Sequence, residues 1–95
     1  MALQALVLGG VHMKGTSNRT GTEYDFVQLN VATRVDPGGP VVAGAGYELD
    51  RVSATGEVLE DLRRYEASLP MWFRLDGEPA RGGRLRVTSL EPLEV

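Results

Sequence analysis

The segment Glu23-Tyr24-Asp25-Phe26-Val27-Gln28-Leu29-Asn30-Val31-Ala32-Thr33-Arg34-Val35 alternates with period two. That pattern belongs to a β-strand with one face in a core, because successive side chains leave a strand on opposite sides. Val27, Leu29, Val31 and Val35 share one phase, whereas Tyr24 and Phe26 share the other with Gln28, Asn30 and Arg34. An ordinary core would place its aromatic rings with the valines and the leucine, since rings bury the largest apolar areas. Two aromatics, two amides and an arginine on the solvent side predict a face that holds a flat, polar, anionic ligand. The strand follows a polar, glycine-bracketed loop, 15–22, which Lys14 precedes and which contains Arg19.

The remainder of the chain reads as short strands and turns. Twelve glycines and five prolines in 95 residues favour turns between strands over a helical bundle. That length predicts one domain over 1–95. A first strand is expected over Leu3–Met13, with its first half buried on both faces through Leu6 and Leu8. Gly9-Gly10 predicts a bulge or bend within it, with His12 and Lys14 in one phase and Val11 and Met13 in the other. Asp36-Pro37-Gly38-Gly39-Pro40 is a strong turn signal, and 36–46 reads as a protruding hairpin tip. A third strand is expected over Tyr47–Ser53. Val58, Leu59, Leu62, Tyr65 and Leu69 then recur at helical spacing, predicting a helix over Glu57–Leu69 capped by Thr55, ended by Pro70 and carrying a Glu60–Arg64 pair. A fourth strand follows over Met71–Asp76, with Phe73 and Leu75 opposite Trp72 and Arg74. A turn-rich loop covers 77–83. The fifth strand, Arg84–Leu90, turns Leu85 and Val87 inward and Arg84 and Arg86 outward.

Three strands, a helix and two strands make the order of the OB-fold, a small five-stranded Greek-key barrel whose helix lies between strands three and four. The expected class is therefore all-β. An SH3-like barrel or a small α+β sheet has a similar order. In an OB-fold the ligand face is formed by strands two and three with the loops after strands one and four. Here those are the aromatic strand, the loop 15–22 and the loop 77–83.

Gly15-Thr16-Ser17, then Thr20-Gly21, then Tyr24-Asp25-Phe26 ahead of an alternating strand resembles the single-stranded DNA-binding, helix-destabilising proteins of filamentous bacteriophages. Phe73-Arg74-Leu75 with Gly82-Gly83-Arg84-Leu85-Arg86-Val87 is similar to the closing hairpin of that family. The close likeness covers about a quarter of the chain. It implies an OB-like barrel, a homodimer, and coating of phage single strands during DNA replication in the host cytoplasm, largely independent of sequence. Tyr24 and Phe26 match the family's motif aromatics, and Lys14 and Arg19 match basic positions in its first loop. The hairpin 36–46 departs from the family, because it carries neither aromatic nor basic residues where a DNA-gripping wing is common.

The physical chemistry of these residues supports the same expectation. Each base stacked on a ring contributes about 1–3 kcal/mol whatever its identity. Arg34, Arg74, Arg84 and Arg86 suit phosphates, and Gln28 and Asn30 suit base edges or sugars. The net charge of −3 argues against a generic nucleic-acid coat, but it is unevenly spread. Residues 1–35 carry a balance of +1 and residues 74–86 a balance of +2, the excess acid lying in 36–73 and at the C-terminus. Other readings stay open. Tyr24 and Phe26 also suit the end of a barrel or a subunit interface, Tyr47 and Tyr65 the core or its edge, and Trp72 a partly buried site. A small barrel acting as a protein-interaction subunit is the alternative function.

Catalysis is not expected. One histidine and no cysteine exclude a multi-histidine or thiolate metal centre. Ser17, His12 and Asp25 supply the residue types of a triad without a supporting spacing, and the loop 15–22 lacks phosphate-loop chemistry. No cofactor, small-molecule substrate or membrane association is expected, and the apolar opening at residues 1–8 reads as a strand of a cytoplasmic protein.

Overall fold

A computed structural model of the chain describes residues 2–35, 43–80, 82 and 84–93. The strands are β1 (Ala2–Thr16), β2 (Glu23–Arg34), β3 (Tyr47–Ala54), β4 (Met71–Pro79) and β5 (Leu85–Pro92). Helix α1 (Gly56–Arg63) and a 3-10 turn (Glu66–Ser68) lie between β3 and β4. The strands close into a barrel in the order β1-β2-β3-β5-β4. All neighbours are antiparallel except β3 and β5, which meet in parallel. This is an all-β, OB-fold-like barrel, as the element order predicts.

One strand serves both sides of the closure. Residues 2–7 of β1 pair with β4, and residues 6–16 pair with β2. Between Val7 and Gly9 the register with β2 shifts, where the double glycine predicts a bulge. The extra residue reverses the inward phase. Ala5 and Val7 are fully buried before the shift. After it, Gly10 faces inward, where a Cβ would lie 2.9 Å from Leu29 Cδ2 and 3.2 Å from Leu59 Cδ1. Leu8 sits at the shift and is exposed, and Leu6 is half-buried. The expected burial of both faces is therefore wrong at Leu8.

Phe73, Leu29, Leu75, Val7, Val31, Val58 and Val87 are the largest fully buried side chains. They draw on β1, β2, β4, β5 and the helix, and β3 adds the buried Ala54. Val58 and Leu62 seat α1 on the core, and Tyr65 meets Phe73 edge-on at 5.4 Å between ring centres. Thr55 caps the helix as expected, its hydroxyl accepting from the Val58 N–H at 3.4 Å. The helix ends at Arg63, short of Leu69. Its backbone leaves the helical region at Tyr65 (φ −107°, ψ 9°), where the chain turns that ring onto Phe73. The surface pairs shift accordingly, with Arg63 donating to Glu60 at 3.3 Å and Arg64 4.0 Å from Asp61, in place of Glu60–Arg64.

The hairpins are longer than their sequence suggests. β1 and β2 stay paired out to Thr16 and Glu23, so only residues 17–22 form the connecting turn. Ser17 and Thr22 close it through a 2.8 Å backbone bond, with Gly21 at φ +69°. β4 runs to Pro79, opposite Leu85, which takes the first residues of the expected loop 77–83 into the sheet. A second register shift lies between Asp76 and Gly77, where a Cβ on Gly77 would collide with the Arg86 carbonyl. The turn expected at 36–40, the bulky Val41 and Val42, and Arg81 lie outside the described residues. Among the described residues, no helix is long and apolar enough to cross a membrane.

Two substitutions separate these contributions. Phe73→Ala should cost about 4 kcal/mol of unfolding free energy, from lost transfer energy and the cavity left behind. Thr55→Ala should cost only about 1 kcal/mol, from one lost cap. Urea unfolding followed by circular dichroism measures both, and equal losses would contradict this picture of the core.

Candidate functional site

The pleat and the register decide which side chains share the outer surface. On β2 the outward phase is Tyr24, Phe26, Gln28, Asn30, Ala32 and Arg34, of which Ala32 is covered by its neighbours, and Val27, Leu29 and Val31 are buried on the other side. Cross-strand partners share a face. β1 therefore adds Gly15 beside Tyr24, Met13 beside Phe26, Val11 beside Gln28 and Gly9 beside Asn30. On the other flank β3 adds Ser53, Arg51, Leu49 and Tyr47 beside Gln28, Asn30, Ala32 and Arg34. β4 adds Trp72, which lies opposite Leu6. The surface follows β2 for about 33 Å from Tyr24 to Arg34, at about 3.3 Å per residue.

Aromatic rings stand in pairs at both ends of this surface. Tyr24 and Phe26 have centroids 5.9 Å apart and planes tilted by 44°. Each is 38% exposed, so neither is consumed by the core. The Tyr24 ring lies over Gly15, where a Cβ would sit 2.8 Å from its hydroxyl and 3.1 Å from Cζ. A side chain at residue 15 would displace the ring, and glycine holds the space open for it. At the far end Tyr47 and Trp72 have centroids 6.0 Å apart at 51°. Tyr47 is exposed, not in the core or at its edge, whereas Trp72 is half-buried. Gln28 and Asn30, both half-buried, lie between the pairs.

The basic residues are placed unequally. Arg34 is exposed on the same surface and shares a shallow hollow with Gln4, Glu48 and Trp72. Arg86 is exposed on β5 beside Ser53, and with Phe26 it lines a second hollow that includes His12 and Asp25. Arg84 lines a third with Asp50 and Arg51. Arg74 is also exposed, but its Nε lies 3.4 Å from Asp76 Oδ2, so part of its charge is already answered. Arg19 is exposed in the turn at the tip of the β1–β2 ribbon. Lys14 pairs with Asp25, in the phase opposite to Tyr24 and Phe26, so it leaves the ribbon on the other side.

Sequence patterning alone missed Val11, Met13, Leu49, Arg51 and Tyr47 as members of this surface. Val11 and Met13 alternate correctly with His12 and Lys14, but their side of the sheet depends on the shift before Gly9. The structure also joins two of the three triad residue types. Asp25 Oδ1 accepts from His12 Nε2 at 2.5 Å, with both side chains exposed. Ser17 lies beyond the last ribbon pair, five positions along the chain from His12 or about 16 Å of strand, and so stands outside proton-transfer reach.

Gly15→Ala tests the seat of the Tyr24 ring. The variant should keep its stability within about 1 kcal/mol, since an exposed ring can move. It should shift the Tyr24 ring resonances and weaken the ring–ring cross-peaks to Phe26 in NMR spectra. Unchanged spectra would show that the ring does not depend on the space above Gly15.

No protein-family model, no curated protein and no solved structure matches this chain.

Proposed function

We propose that the protein binds single-stranded DNA along the outer surface of β2, largely independent of base sequence. The observation that carries this reading is the exposed Tyr24–Phe26 pair, out of phase with the core and adjacent near the tip of a two-stranded ribbon. Every base has a π-face, so such a pair accepts any sequence. The rings follow each other two residues apart, about 7 Å along the strand, which is close to the spacing of bases in an extended single strand. Gln28 and Asn30 offer donors and acceptors to sugars and base edges as the strand continues, and Tyr47 with Trp72 forms a second aromatic station beyond them. Arg34, Arg51, Arg84 and Arg86 lie along the flanks for phosphates, and Arg19 stands at the ribbon tip. Lys14 leaves the ribbon on the other side and takes no part in this surface. The protein is not an enzyme on this reading. The resemblance to phage helix-destabilising proteins supports coating of single strands during phage DNA replication in the host cytoplasm, by a homodimer.

A second reading has its own observation. Val11, Met13, Tyr47 and Leu49 are exposed apolar side chains on this surface, and together they suit a protein partner. Salt separates the two, since phosphate contacts weaken as salt rises and apolar contacts do not.

A Tyr24→Ala/Phe26→Ala double variant should lose about 2–4 kcal/mol of affinity for oligo-dT while unfolding like the parent. Arg86→Ala should lower the slope of log affinity against log salt by about 0.7. Fluorescence anisotropy with labelled oligo-dT and with a duplex control measures both. Parent-like binding by the double variant would refute the stacking site, and absence of any salt-sensitive preference for single strands would refute the function.

A further inference from the structure

Among the described residues β3 has an open edge. Its residues Tyr47–Ala54 pair with β2 along their whole length, but on the other side only Ser53 and Ala54 meet β5. Among the described residues nothing pairs with Tyr47–Val52 on that side. The exposure agrees, because Tyr47, Glu48, Leu49, Asp50 and Arg51 are all exposed, in both phases of the strand. Leu49, in the middle of this run, is 77% exposed, the highest value among the exposed large apolar side chains. The Arg51 N–H on this edge donates to its neighbour Asp50 Oδ1 at 2.7 Å, a local contact that an incoming strand would have to displace. A strand edge with ladder positions left open at Tyr47 and Leu49 and an uncovered leucine is a template for another strand.

We infer that this edge pairs with the same edge of a second copy of the chain, antiparallel about a two-fold axis at Leu49. The strand's own residue order selects this occupant. A two-fold axis perpendicular to the sheet keeps each phase on its own side, so outer residues of one copy face outer residues of the other. With the axis at Leu49, the two Leu49 side chains meet at the centre. Tyr47 of each copy faces Arg51 of the other, placing a guanidinium against a ring at both ends. The pairing uses Tyr47–Arg51 and stops short of Ser53, the residue that β5 occupies. Moving the axis to Glu48 shortens the paired segment, because the strand begins at Tyr47. Moving it to Asp50 sets Tyr47 opposite Ser53, a position that β5 already occupies.

The inner phase makes the contact conditional. Glu48 of each copy faces Asp50 of the other, and like charges directly opposite weaken a strand pair. Salt screens them, so the dimer tightens as ionic strength rises, unlike contacts to phosphate. The joined sheet runs from one β1–β2 ribbon to the other, with Tyr24 and Phe26 of both copies on the same side. The inference names the surface of the dimer and needs no nucleic acid, so it stands or falls apart from the DNA reading.

The chain contains no cysteine, which makes a cross-link test clean. Paired residues of antiparallel strands have Cα atoms about 4.5–5.5 Å apart, within the range of a disulfide. Leu49→Cys should therefore oxidise to a covalent dimer without DNA, whereas Thr20→Cys at the ribbon tip should stay monomeric. Sedimentation equilibrium should show the unmodified chain dimerising more tightly when salt is raised from about 0.05 to about 0.5 M. Leu49→Lys should weaken the dimer by roughly tenfold or more. A monomer of 10.3 kDa up to about 100 μM protein would overturn the inference. So would a dimer that Leu49→Lys leaves intact, or equal cross-linking through Thr20→Cys.

Discussion

The barrel depends on one strand pairing with two different partners. β1 joins β4 with its first residues and β2 with the rest, and the two sets overlap only at Leu6 and Val7. A straight strand could not turn its inner side from one wall to the next without losing a ladder. The register shift between Val7 and Gly9 supplies the turn, and Gly10 removes the side chain that would strike Leu29 and Leu59. Everything the barrel encloses, including Phe73 and the seat of α1, follows from that closure.

The same shift assigns the far half of β1 to its two faces. Beyond it, Val11 and Met13 turn outward beside Gln28 and Phe26, and His12 and Lys14 turn to the other side beside Val27 and Asp25. The β1–β2 ribbon extends past the closed barrel as a two-stranded arm whose outer side is aromatic and apolar and whose other side is polar. An arm of this kind has no second layer to cover it. Its rings stay at the surface because nothing in the barrel is placed to bury them.

Charge follows a different logic from the rings. The chain is acidic overall, yet exposed arginines flank the outer surface from β2, β3 and β5. Arg74 is drawn towards Asp76, and Lys14 shares its strand pair with Asp25. On the proposed function, the exposed arginines outside such pairs among the described residues are the ones that attract phosphates. In the inferred dimer, Glu48 and Asp50 of β3 are the groups that hold a second copy off at low salt.

The alternation of residues 23–35 was sufficient by itself to place Tyr24 and Phe26 opposite the core, because strand side chains alternate whatever the strand pairs with. The order of strands and helix was also legible, and with it the barrel, since turn residues and periodicity are local properties. The double glycine announced the bulge. What the sequence could not reveal was which residues become neighbours across strands. Val11, Met13, Arg51, Tyr47 and Trp72 join the surface through registers between segments far apart in the chain. The early end of α1 is likewise tertiary, set where Tyr65 turns onto Phe73. Among the described residues, β3 has an open edge only because β5 meets that strand at two residues. Periodicity assigns each residue a side of its own strand, and only the assembled sheet decides what stands beside it.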